Sequence, residues 1–297
     1  MPSQTLLILG AGYAGQALAR LLAGKAWRIK GTSRSAPGAA ALAAAGIEGI
    51  AATADTFDPV LLEQADALLV SVPPDEQGDP FARSLAAAKK PGRLRWIGYL
   101  STTGVYGDTG GAWVDETAPP NPSNARGRRR LLAEAQWFDF GTRHGLAAQA
   151  FRLPGIYGPG RSALDEVRAG RARRIDKPGQ VFSRIHVADI AATLAASLDR
   201  PAPGTIYNVA DDLPAPSSDV VAFACELLGV PPPPLIPYAE IEATLSPMGR
   251  EFYADTRRVG NERIKRELGI ALAYPTYREG LRGILETERL SRTGSRS

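Results

Sequence analysis

Apolar runs along the chain are broken at short intervals by glycine and polar residues, and the spacing predicts strands and helices in turn. Residues 5–9 form an apolar, strand-like run that stops at Gly10. Leu18, Leu21 and Leu22 then follow Ala14 at i+4, i+7 and i+8, one face of a helix. Residues 27–32 and 47–52 read as the second and third strands, and Leu61 and Leu62 begin a short helix. Residues 67–72 are a continuous apolar run, as in parallel strands buried on both faces, and Pro73-Pro74 ends it. Residues 81–88 read as helix and 94–100 as the next strand. Further on, Val187, Ile190, Ala191, Leu194 and Leu198 make the core stripe of another helix, which leaves His186 and Asp189 structural roles at its start. Residues 231–234 read as a rigid extended connector and residues 246–253 as a loop near a cleft. Tyr106 reads first as a structural residue.

Strands alternating with helices predict a doubly wound parallel α/β sheet with right-handed crossovers, whose ligands lie at the carboxyl ends of the strands. The expected division is a Rossmann dinucleotide-binding domain over residues 1–156, completed by about 183–212. A smaller carboxy-terminal α/β substrate lobe takes 157–182 and 213–288, and 289–297 form a frayed tail.

The first break carries the sharpest chemistry. Gly10-Ala11-Gly12-Tyr13-Ala14-Gly15 is Gly-x-Gly-x-x-Gly between a strand and a helix, the context a dinucleotide fingerprint requires. Gly10 permits the tight turn, Gly12 lets the backbone approach a pyrophosphate, and Gly15 lets helix pack on strand. The amides of Tyr13 and Ala14 open the helix, whose N-terminus favours phosphate. A plain βα turn is the alternative. The second strand ends Gly31-Thr32-Ser33-Arg34, without the acid that an NAD site places on the ribose 2′-hydroxyl. Arg34 and Ser33 instead suit a 2′-phosphate, so NADP is expected ahead of NAD. Ser71, Val72 and Pro73, at the carboxyl end of their strand, are expected to touch the same ligand.

Composition narrows the class. The 297 residues can bury a large core, and 44% hydrophobic with 22% charged residues is ordinary for a soluble globular protein. No apolar run reaches the ~18 residues of a membrane span. The first strand starts too early for a signal peptide, and one cysteine fits a reducing compartment, so a cytoplasmic location is expected. Cys225 lies in a helical pattern and reads as a buried small hydrophobe, and two histidines with one cysteine argue against a metal site. The net charge of +4 raises nucleic acid as a partner, but 29 of the 35 basic residues are Arg spread along the whole chain, so none is expected.

Five stretches in order resemble the extended short-chain dehydrogenase/reductase family, which includes nucleotide-sugar epimerases and dehydratases. They are the glycine turn, residues 101–108 (STTGVYGD), 151–161 (FRLPGIYGPGR), 184–190 (RIHVADI) and 206–211 (IYNVAD). Residues 261–269 also look like the family's carboxy-terminal region. The resemblance implies that Asp55 contacts adenine and that Thr102 is the hydroxyl that positions a substrate oxygen. It also places the family's general acid/base Tyr on Arg126 and its Lys on Arg130. A guanidinium cannot exchange protons near neutrality, although it can hold an anion bidentately. Tyr106 is the phenol that could replace the missing acid. Thr103-Gly104 stand where a dehydratase carries an acid pair, which disfavours dehydration. The expectation is an atypical NADP-dependent epimerase- or reductase-like enzyme, monomeric or homodimeric, acting on an anionic small molecule such as a nucleotide sugar. The alternative is a non-catalytic NADP-binding or redox-sensing protein.

Overall fold

The computed structural model describes residues 4–88 and 92–294. Seven parallel strands form the central sheet: β1 (Gln4–Leu9), β2 (Trp27–Ser33), β3 (Glu48–Ala51), β4 (Ala67–Val70), β5 (Trp96–Thr102), β6 (Ala147–Leu153) and β7 (Thr205–Asn208). Their spatial order is β7-β6-β5-β4-β1-β2-β3. The order reverses direction at β1 and β4, so the sheet is a doubly wound Rossmann fold with its crevice at the carboxyl ends of those two strands.

The apolar runs explain the layers. Both faces of β1 and β4 are buried: Leu6, Ile8 and Leu69 join one apolar cluster, and Leu7, Leu9, Leu68 and Val70 join the other. The first cluster is covered by α1 (Tyr13–Leu22) and α3 (Val187–Asp199), through Leu18, Ile190 and Leu194. The second is covered by the long helix α2 (Ala125–His144), through Ala133, Trp137 and Phe140. A third cluster, outside the sheet, joins Tyr157, Leu164, Val220, Phe223, Tyr277 and Leu281. It packs α4 (Ser217–Leu228) against α5 (Tyr277–Gly294) and forms the core of the smaller carboxy-terminal lobe.

Two segments differ from expectation. Residues 246–253 are not a loop: Pro247–Ala254 is a helix, with the Ser246 side chain accepting from the Gly249 amide and Pro247 in the first turn. A Ser-Pro pair that looks like a breaker starts a helix here, because proline at the first helical position lacks only an N–H with no partner to lose. In the expected frayed tail, residues 289–294 continue α5, and residues 295–297 lie outside the described residues.

Candidate functional site

The glycine turn divides its labour among three positions. Gly10 has φ +74°, and a Cβ there would stand 2.8 Å from Val72 Cγ1, so both conformation and space demand glycine. A Cβ on Gly15 would meet Ile8 Cγ2 at 3.0 Å, which is the close packing of α1 on β1. Gly12 differs: a Cβ there would meet nothing nearer than the Gly10 carbonyl oxygen at 3.9 Å. No side chain caps α1, whose N-cap is Gly12. The first-turn amides, Tyr13 and Ala14 among them, therefore open onto free space with the positive end of the helix dipole behind them. That is a cradle a side chain would fill, and it suits an anion.

The neighbouring strands converge on the turn. Gly10 N–H donates to Thr32 Oγ1 at 2.9 Å, Ala11 N–H to the Thr32 carbonyl at 3.0 Å, and Ser71 N–H to the Leu9 carbonyl at 2.9 Å. Ser33 is half-buried beside Gly38, and Ser35 caps the short helix that follows. Arg34 is exposed, with no hydrogen bond or ion pair to any other described residue. Asp55 is exposed as well, and Pro73 is exposed just past the Val72 contact. Tyr13 is not free: its hydroxyl donates to the Pro159 carbonyl at 3.0 Å, and the Arg161 guanidinium lies 5.9 Å from its ring centroid.

At the end of β5, Thr102 Oγ1 accepts from the Gly104 amide at 3.1 Å, which leaves its own O–H to donate elsewhere. Arg130 lies at the carboxyl ends of β4 and β5. Its Nη1 donates to the Leu100 carbonyl at 2.7 Å, the Tyr99 hydroxyl at 3.2 Å and the Val72 carbonyl at 3.3 Å. Its remaining guanidinium N–H groups have no partner among the described residues. Arg126, one turn earlier, is exposed and without hydrogen bond or ion pair among them, so no common group joins the two arginines. The first turn of α2 is held against the Thr102 loop by Gly127, where a Cβ would stand 2.9 Å from the Gly104 carbonyl oxygen. Tyr106 is withdrawn from the cleft: it is 2% exposed, its hydroxyl donates to Asn208 Oδ1 at 2.8 Å, and the Arg152 guanidinium lies over its ring. Burial pushes its phenol up, away from proton exchange near neutrality.

Two constellations escaped the sequence reading. Beneath Thr102, Arg152 pairs with Glu134 through Nη2–Oε2 at 2.8 Å and Nε–Oε1 at 3.1 Å, and the Ser101 hydroxyl donates to Glu134 Oε1 at 2.5 Å. The available signal was an arginine in the apolar run of β6, which needs a buried partner. Beside Thr102, Arg257 donates to the Gly107 carbonyl at 2.5 Å and pairs with Asp255 at 3.1 Å, and Ser123 donates to Asp255 at 2.8 Å. Thr102 and Arg257 flank the same residue, since both lie within 4.0 Å of a Cβ placed on Gly104. Further out, a cavity of about 260 Å³ is lined by Arg174, Lys177 and Arg258 among others. These three donate to the carbonyls of Pro233, Tyr253 and Gly111, and none forms an ion pair among the described residues, although Asp176 and Asp219 line the same cavity.

Comparison with known proteins agrees with the geometry. Residues 82–210 match the model of the NAD dependent epimerase/dehydratase family. The chain is 29% identical to protein YeeZ of Escherichia coli strain K12, over 90% of this chain and 95% of that one. It superposes with TM-score 0.87 and 49% identity on a conserved protein of unknown function from Silicibacter pomeroyi, covering 96% of this chain and 99% of the other. A protein of Methylobacillus flagellatus assigned to the NAD-dependent epimerases/dehydratases matches with TM-score 0.72 and 26% identity, covering 97% and 99%. No helix among the described residues is long and apolar enough to cross a membrane.

Proposed function

The chain belongs to the NAD dependent epimerase/dehydratase family, and on that premise we propose that it is an NADP-binding, epimerase- or reductase-like oxidoreductase acting on an anionic small molecule such as a nucleotide sugar. The observation that carries this reading is the open cradle at Gly12 and the uncapped start of α1, with a free guanidinium, Arg34, where an NAD site would hold an acid. Gly10, Gly12, Tyr13, Ala14 and Gly15 would hold the pyrophosphate. Ser33 and Arg34 would take the 2′-phosphate, Asp55 the adenine, and Ser71, Val72 and Pro73 the middle of the molecule.

A bound nicotinamide would supply hydride chemistry. The chain's own part is to bind, orient and polarise. Thr102, its lone pair engaged by the Gly104 amide, is free to donate to a substrate oxygen. Arg130, anchored to two strand-end carbonyls, offers its remaining N–H groups to ribose hydroxyls in place of the lysine. Arg126 would meet an anionic group, and Arg174, Lys177 and Arg258 supply further positive charge for a phosphorylated substrate. Neither Arg126 nor Arg130 accepts a proton at neutral pH. Tyr106 is buried on Asn208. The proton therefore passes through Thr102, a water or the substrate itself.

The second reading is a non-catalytic NADP-binding or redox-sensing protein, favoured by the guanidinium groups at both family acid/base positions. Turnover of the cofactor against a panel of nucleotide sugars, aldehydes and ketones separates the two. The shared premise is tested by titrating NADP and NAD into wild type and Arg34→Ala. A charge-assisted contact of roughly 1.5–3 kcal/mol predicts about a tenfold or larger preference for NADP that the variant loses. Equal affinity in the wild type overturns the NADP assignment.

A further inference from the structure

A separate cavity of about 370 Å³ opens in the carboxy-terminal lobe, and its lining includes no residue of the glycine turn, Thr102, Arg126 or Arg130. That volume suits a small molecule. Tyr157, Val220, Tyr277 and Leu281 give it an apolar wall, and Arg161 and Arg184 stand at its polar side. Among the described residues neither arginine has a carboxylate within ion-pair distance. Arg184 donates once, to the Phe182 carbonyl at 2.8 Å, and lies 5.9 Å from the Tyr277 ring centroid. Among the described residues the Arg161 guanidinium has only its contact with the Tyr13 ring.

The acids near the cavity are engaged elsewhere. Asp165 accepts from the Ser162 N–H at 2.8 Å and the Ser162 hydroxyl at 2.6 Å. Glu166 is paired with Arg171 at 2.9 Å. Asp211 and Asp219 act on Arg184 electrostatically from beyond ion-pair distance, and burial raises the Asp211 pKa to about 8, so it is mostly protonated near neutrality and compensates the guanidinium poorly. A guanidinium drawn out of water without a counter-ion is costly, and an apolar wall beside it asks for a partner that is charged at one end only.

We propose that this cavity is a second ligand site, for a small organic anion whose oxyanion meets Arg161 and Arg184 and whose apolar body packs on Tyr277, Val220 and Leu281. The site is independent of the dinucleotide reading. Its link to the glycine turn is Arg161, whose guanidinium lies 5.9 Å from the Tyr13 ring centroid.

The test is calorimetric titration of the full chain with phenyl phosphate, using phenol as the uncharged control. Wild type is expected to bind phenyl phosphate at one site and phenol at least tenfold more weakly. Arg184→Gln is expected to weaken phenyl phosphate at least tenfold, Leu281→Trp to abolish it by filling the cavity, and Gly12→Val to leave it unchanged. If Arg184→Gln does not fold, Arg161→Gln, at an exposed position, carries the same tenfold expectation. The proposal is overturned if wild type does not bind phenyl phosphate, if a folded arginine variant binds it as tightly as wild type, or if Gly12→Val loses it.

Discussion

Gly12 and Gly15 are both glycines of one turn, yet their surroundings ask opposite things of a substitution. Valine at Gly15 would drive its Cβ into Ile8 and push α1 off the sheet. Valine at Gly12 would meet almost nothing in the protein itself, because only the Gly10 carbonyl lies within 4 Å, at 3.9 Å. Gly12→Val is therefore expected to keep the wild-type melting temperature while abolishing dinucleotide binding, measured by thermal unfolding and calorimetry on the same preparation. Binding at wild-type strength in that variant would mean the turn serves only to join strand to helix. This contrast was legible in the sequence, since spacing inside a turn is local. The fate of Tyr106 was not, because its partners Asn208 and Arg152 come from strands far along the chain and only the folded sheet brings them together.

At the level of elements, α2 is fixed to the sheet from inside by charge. Glu134 and Arg152 have side chains only 3% and 2% exposed, so each is the other's compensation in a low-dielectric site. Removing one partner leaves an uncompensated buried charge, and Glu134→Ala is expected to cost about 3–5 kcal/mol of stability. Replacing both by methionine should recover most of that loss, because a well-packed apolar pair has no charge to desolvate. Denaturant midpoints of the two variants decide it: a single substitution costing under about 1 kcal/mol would show the pair to be marginal. The pair also sits under Thr102, so the same variants should disturb the Thr102 loop. The family resemblance placed a helix at Arg126 and Arg130, where α2 begins, but did not reveal this pair. An acid one turn after Arg130 looks, in a charge-rich helix start, like one more solvated residue. The Pro247–Ala254 helix was missed for a related reason: Ser-Pro is ambiguous between loop and helix start until the Gly249 amide is seen to bond the Ser246 side chain.

Across the whole molecule, His186 joins segments far apart in sequence by packing on Tyr157 and Tyr274, and acid should loosen that junction. The Ala188 amide donates to His186 Nδ1, so its proton sits on Nε2, which is buried without a partner among the described residues, against the rings of Tyr157 and Tyr274. Burial lowers its pKa from 6.5 to about 4. The unfolded chain thus binds a proton that the folded chain refuses between those values. Stability from this residue is full above about pH 6.5 and is lost as pH falls towards 4, by at most about 3 kcal/mol. His186→Phe should flatten that part of the stability–pH curve, and an unchanged slope would refute the assignment. The doubly wound parallel sheet was legible because alternation of strand and helix largely dictates that fold. The cavities were not, because their walls are assembled from segments far apart in sequence.

The central claim is that the cradle at Gly12 takes NADP, with Arg34 meeting the 2′-phosphate and Arg130 the nicotinamide ribose. The most direct measurement is a crystal structure of the protein with NADP. It is predicted to hold the pyrophosphate against the first-turn amides of α1, the 2′-phosphate within hydrogen-bond distance of Arg34 and Ser33, and the nicotinamide ribose at the free N–H groups of Arg130. A cradle empty at saturating NADP, or a dinucleotide whose 2′-phosphate lies away from Arg34, would contradict it.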